Sequence, residues 1–194
     1  MDMKYDSTKL LKSLDRCFDK DSDIVYRNFQ ILINHPDSRD NKGIIKVARE
    51  LLEGNDKEIV KEALWYLGSC VGSQRWSWNP NNIEEKNLIE FSRNICSDIS
   101  SGVIYKLLCH VDDEYFSGLM GLGERLLDII SCCYDNAYSV LDNTVLNVSE
   151  PMNRRTNALF YLYGGDEELM EDDIKNRGNN SKYKDVFDYL THGY

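Results

Sequence analysis

Residues 43–68 decide the fold: Gly43-Ile-Ile-Lys-Val-Ala-Arg-Glu-Leu-Leu-Glu53, then Gly54-Asn-Asp-Lys57, then Glu58-Ile-Val-Lys-Glu-Ala-Leu-Trp-Tyr-Leu-Gly68. Ile44, Ile45, Ala48, Leu51 and Leu52 recur at intervals of three and four, as do Val60, Ala63, Leu64, Leu67 and Val71. That spacing puts each set on one face of a helix. Gly54 stands where the first helix should stop. Asp56 stands where a side-chain oxygen can accept from the free N–H groups that open the second.

The same periodicity continues outward. Leu10, Leu11, Leu14, Cys17 and Phe18 form one stripe; Ile83, Leu88, Ile89, Phe91 and Ile95 form another; Leu119, Leu122, Leu126, Ile129 and Ile130 form a third. Pro36, Pro80 and Pro151, the three prolines of the chain, fall where these patterns break, as helix boundaries require. Ser7, Asp23, Asn82 and Asp113 precede apolar runs as cap candidates, and Gly72 and Gly102 lie near expected helix ends. No alternating strand pattern is visible. The expectation is an all-α chain of nine or ten helices without a sheet, folded as a single domain over residues 1–194. The longest loops are expected at 72–82 and at 175–182, the latter polar and mobile, ahead of a short last helix over 183–190.

The pattern also repeats. Glu62-Ala-Leu-Trp-Tyr-Leu-Gly-Ser69 aligns with Asn157-Ala-Leu-Phe-Tyr-Leu-Tyr-Gly164. Weaker copies are Ser117-Gly-Leu-Met-Gly-Leu-Gly-Glu124 and Val25-Tyr-Arg-Asn-Phe-Gln-Ile-Leu32. Their spacing is an interrupted period of about 40 residues. Residues 43–72 resemble a HEAT repeat: a first helix, an Asp-containing turn at Asp56, and a second helix carrying Val60-Lys61 and Ala63-Leu64…Leu67-Gly68. The resemblance implies a short α-solenoid of antiparallel helix pairs, its second helices lining a concave face.

Threading the copies in register places Gln30, Trp65, Met120 and Phe160 in one row. On the second helix, Glu62 and Ser69 point away from the core and Trp65 flanks that outward face. An exposed apolar row marks a binding surface, whereas the same row between neighbouring helices would be core. Trp76 and Trp78, in the loop after this helix, either anchor a partner or cover a helix end. Asp166-Glu-Glu-Leu-Met-Glu-Asp-Asp173 packs six acids into eight residues with no base. Asp166, Glu167, Glu168, Glu171, Asp172 and Asp173 favour a helix N-terminus, or together steer a basic protein.

Composition narrows the function. The hydrophobic share is 42% and the charged share 29%, which is globular. The net charge is −10 and the pI near 4.8, so nucleic acid is an unsuitable partner. No stretch approaches the ~18 apolar residues of a membrane span, and Met1-Asp-Met-Lys-Tyr-Asp6 has no apolar core for a signal peptide. A cytoplasmic protein is expected, with no membrane partner. Its six cysteines then read as free thiols in helical stretches.

Catalytic signatures are missing from the sequence. His35, His110 and His192 form no His–Glu metal spacing, and no CxxC occurs. That departs from the di-iron hydroxylases built on HEAT-like repeats, and the acidity departs from HEAT-like DNA glycosylases. Cys132-Cys133 with Cys96, Cys109 and His110 would form a metal or redox site only if the fold gathered them, and buried thiols are usually inert. Glu124 and Asp128 are spaced for a shared proton but read as a solvated helix edge with Arg125 beside them. No metal, cofactor or enzyme activity is therefore expected. A small, acidic, degenerate helical-repeat domain looks like a bacterial immunity protein. That class-level resemblance implies steric and electrostatic blockade of a basic toxin domain, a nuclease being the apt case. The alternative is a HEAT-like scaffold or adaptor that binds a protein or peptide on its concave face.

Overall fold

The computed structural model describes residues 16–17, 19–35, 42–72, 94, 96, 99–111, 122–177 and 180–192. Among them there are nine α-helices and no strand: α1 Ser22–Ile33, α2 Lys42–Leu52, α3 Lys57–Gly72, α4 Ser101–Val111, α5 Leu122–Cys132, α6 Tyr134–Leu146, α7 Met152–Leu162, α8 Glu167–Arg177 and α9 Lys184–His192. The all-α expectation holds. None of these helices is long and apolar enough to cross a membrane.

Local chemistry sets the ends. Asp56 caps α3, its Oδ1 accepting from Glu58 N at 3.1 Å and Ile59 N at 3.3 Å. At α1 the cap is Asp21, accepting from Asp23 N at 3.0 Å. Asp23, the expected cap, is instead the second residue of the helix, in its first turn, where its charge still favours the helix dipole. The caps expected at Ser7, Asn82 and Asp113 lie outside the described residues, as does the stripe Ile83–Ile95. α8 runs on through Lys175 and Arg177, so the loop expected at 175–182 loses its first three residues to helix. The reason is local: Lys175–Glu171 at 3.4 Å and Arg177–Asp173 at 2.9 Å are i,i+4 pairs that place bases at the helix C-terminus.

Contacts arrange the helices in order. α2 packs on α3, α3 on both α1 and α5, α4 on α5, α6 and α7, and α7 on α6 and α9. Lys106 Nζ of α4 donates to the Glu53 and Gly54 carbonyls just beyond α2. Gly123 of α5 lies against Tyr161 of α7. The stripes read from the sequence face the core: Ile44, Ala48, Leu52, Val60, Ala63, Leu64, Leu67, Leu126 and Ile129 are buried. Phe29 and Tyr66 meet edge to face at 6.0 Å and join α1 to α3.

Two glycine sites explain close approaches. A Cβ on Gly68 would stand 2.5 Å from Arg125 Cβ and 2.9 Å from Arg125 Cα. Only glycine lets α3 and α5 come this near. For Gly68→Ala, overpacking of about 1–3 kcal/mol against a backbone that cannot rotate away exceeds the ~1 kcal/mol gained in helix propensity. A net loss of stability in urea denaturation is the expected outcome. The second site closes α7. Gly164 and Gly165 take φ of 65° and 75°, and Gly165 N donates to Phe160 O at 3.0 Å, a Schellman closure. A Cβ on Gly165 would stand 2.3 Å from Leu127 Cδ2. This turn therefore carries the chain tightly past α5 before α8 leaves the core.

Candidate functional site

α8 is set outward by its own sequence. Its eleven residues include none that is buried; only Met170, Asp173 and Ile174 are half-buried. Leu169 is 55% exposed. Asp166 is engaged as the N-cap, accepting from Leu169 N at 2.9 Å. Asp173 accepts from Tyr163 Oη at 2.6 Å and pairs with Arg177. Burial and the Asp173 carboxylate both push the Tyr163 hydroxyl above its ordinary pKa. Glu171 pairs with Lys175. Among the described residues, Glu167, Glu168 and Asp172 have no basic partner. All three are exposed, and Asp172 stands one turn on from Leu169 along the same side of the helix. An open hollow of about 580 Å³, lined by residues 163–169, lies at the start of this helix.

The remaining predicted residues fall on α3 and α7. Trp65 is 42% exposed. Arg125 of α5 lies over its ring at 5.1 Å, a cation–π contact. Glu62 and Ser69 are half-buried. Glu62 acts on Tyr26 of α1, whose hydroxyl is raised above its ordinary pKa first by burial and then by Glu62 and Glu58. Phe160 is half-buried beside Gly165, which itself abuts Leu127 of α5. α5 thus connects Trp65, through Arg125 and Leu127, to Phe160 and the root of α8. Met120, Trp76 and Trp78 lie outside the described residues.

Three features escaped the sequence reading. Asp128 is not a solvated edge: it is 6% exposed and bonded to Arg125 Nη1 at 3.2 Å. Leu127 and Ile129 flank it in the core, so the carboxylate is buried against a half-buried partner. Arg125 Nε is buried without a hydrogen-bond partner among the described residues. Arg155 is buried too, its Nε donating to Val145 O at 2.7 Å and its Nη2 bonded to Asp185. Its position three before Ala158 and four before Leu159, on the buried stripe, was the available signal. Among the described residues, no group of three or more His, Cys, Asp or Glu side chains is placed to hold a metal ion.

Two carboxylates outside α8 make stability depend on acid. Burial alone would raise Asp142, but hydrogen bonds from Lys182 Nζ and Tyr183 Oη, both 2.5 Å, bring it below its ordinary 3.8. The Tyr105 hydrogen bond, and then Arg154, hold Glu150 below its ordinary 4.5. A depressed folded pKa gives stability that is complete above the unfolded value and is lost as pH falls through the folded one. Urea midpoints at pH 7 and pH 3 should therefore differ less in Asp142→Asn and Glu150→Gln than in the wild type. An equal drop in all three would refute this assignment.

Compared with protein-family models, curated proteins and solved structures, the chain matches none.

Proposed function

We propose that this chain is a non-catalytic protein-binding module, an immunity protein that blocks a basic toxin domain by shape and charge. The observation that carries the proposal is α8: a helix with no buried residue, three carboxylates with no basic partner among the described residues, and an exposed Leu169. Such a helix contributes little to the core, and its charge is available to a partner. A nuclease must attract phosphate, so it presents cationic groups; Glu167, Glu168 and Asp172 would stand where phosphates stand. The exposed Trp65 ring, braced by Arg125, adds an aromatic anchor of the kind that dominates binding energy.

The helix order supports a HEAT-like stack under this surface. α4 contacts α6, and Lys106 of α4 reaches the turn that follows α2; α1, α3 and α5 contact in order, as do α7 and α9, with Gly123 of α5 close to Tyr161 of α7. Contacts between alternate helices are what stacked helix pairs would make.

The exposed Trp65 favours a second reading, a scaffold that binds a peptide through apolar contact. The two separate by salt. Calorimetric titration of the full chain against the product of the adjacent reading frame should lose affinity steeply between about 50 mM and 500 mM salt. Affinity that ignores ionic strength removes the electrostatic blockade and leaves the scaffold.

A further inference from the structure

A partly enclosed hollow of about 210 Å³ lies between α2 and the start of α4. Lys46, Arg49 and Glu50 of α2, Glu53 just beyond it, Ile99 ahead of α4 and Val103 in its first turn line this space. α2 turns its apolar residues, Ile44, Val47, Ala48 and Leu51 among them, into the core. Positions 46, 49, 50 and 53 recur at three and four, so the four charges share the opposite face. Ile99 and Val103 are 3% and 8% exposed and give the hollow an apolar wall. Ser100 Oγ accepts from Val103 N at 3.3 Å and fixes that wall at the helix start. Lys106 donates to the Glu53 and Gly54 carbonyls and so ties α4 to the turn after α2.

Two cations and two carboxylates around one small space select a ligand that carries both signs. An anion alone would also meet Glu50 and Glu53, and a cation alone would also meet Lys46 and Arg49. Lys46 and Glu50 stand 3.8 Å apart and both are exposed. Such a pair contributes little to stability, so it can turn to a ligand at little loss. Arg49 is half-buried, and its Nη1 donates to Asn94 O at 3.5 Å, which holds the guanidinium beside the hollow. The volume is below the ~300 Å³ at which sites for drug-sized molecules begin, so the ligand is small. We propose that this hollow binds a free α-amino acid with an aliphatic side chain. Its carboxylate meets Arg49 and Lys46, its ammonium meets Glu50 and Glu53, and its side chain lies on Ile99 and Val103. A residue inside a peptide carries neither terminal charge and is refused. None of these six residues belongs to α8 or the Trp65 edge, so the site stands or falls independently of the proposed partner face.

The test is an amide NMR titration of the full chain with L-leucine. The expected result is saturable shifts at residues 46–53 and 99–103. N-acetyl-L-leucine lacks the ammonium and L-leucinamide lacks the carboxylate, and each should bind about tenfold more weakly or worse. These analogues leave the protein unchanged, so misfolding cannot mimic their loss. Glu50→Gln should weaken L-leucine but leave N-acetyl-L-leucine as it was, which a merely structural role would not produce. No saturation by about 20 mM L-leucine, equal affinity for all three compounds, or saturable shifts elsewhere in the chain would overturn the proposal.

Discussion

Replacing Glu167 and Glu168 by Gln and Asp172 by Asn should weaken binding of the adjacent-frame product on the order of a hundredfold at low salt. Each of these exposed charges, paired with a base at an interface rim, is worth up to about 1 kcal/mol, and three together about 3 kcal/mol. The loss should fall mainly on the association rate, because rim charges steer encounter more than they hold the complex. The substitutions leave the Asp166 cap and the Asp173–Tyr163–Arg177 group in place. They also remove two acids from the first turn of α8, which costs that helix a few tenths of a kcal/mol through its dipole. Circular dichroism of the free variant separates that effect from lost contacts. An affinity unchanged by the triple substitution would favour the scaffold reading and turn attention to Trp65.

The largest expected stability effect lies at Arg155, whose replacement by Met should cost about 3 kcal/mol. Val145 O is among the last four carbonyls of α6, which have no partner within that helix. Arg155 Nε satisfies it, and the guanidinium charge also suits a helix C-terminus. The same side chain reaches Asp185 at the start of α9. Met fills a similar volume but leaves a buried carbonyl orphaned and α9 without its tether. Asp185→Asn should cost far less, about 1 kcal/mol, because Asp185 is half exposed and its loss leaves Val145 O satisfied. Urea denaturation of both variants checks the ranking. Equal losses would mean that Arg155 acts through Asp185 alone.

The helices were legible because burial imposes a period. Ile44, Leu52, Val60, Leu64, Leu67 and Ile129 sit on apolar faces that the spacing alone identifies. The acid run was legible as charge, and its exposure followed from having only Leu169, Met170 and Ile174 to bury. What the sequence withheld were pairings between distant helices. The contact of Arg125 with Trp65 needs α5 beside α3, and nothing local to either residue states that. Asp128 read as solvated because a carboxylate usually is; its burial depends on Arg125 sharing the site. The repeat also lost a member at the decisive place, since residues 117–121 of the third copy lie outside the described residues.

The proposed binding face is α8 with the Trp65 edge, not α2, α4 and α6. Amide hydrogen exchange of the free and bound chain tests it most directly. α8 has no buried residue, so its amides should exchange fast in the free chain. On binding, exchange should slow across 163–175 and around residues 62–69, with α2, α4 and α6 unchanged. Slowing confined to α2, α4 and α6, with α8 exchanging as fast as before, would contradict it.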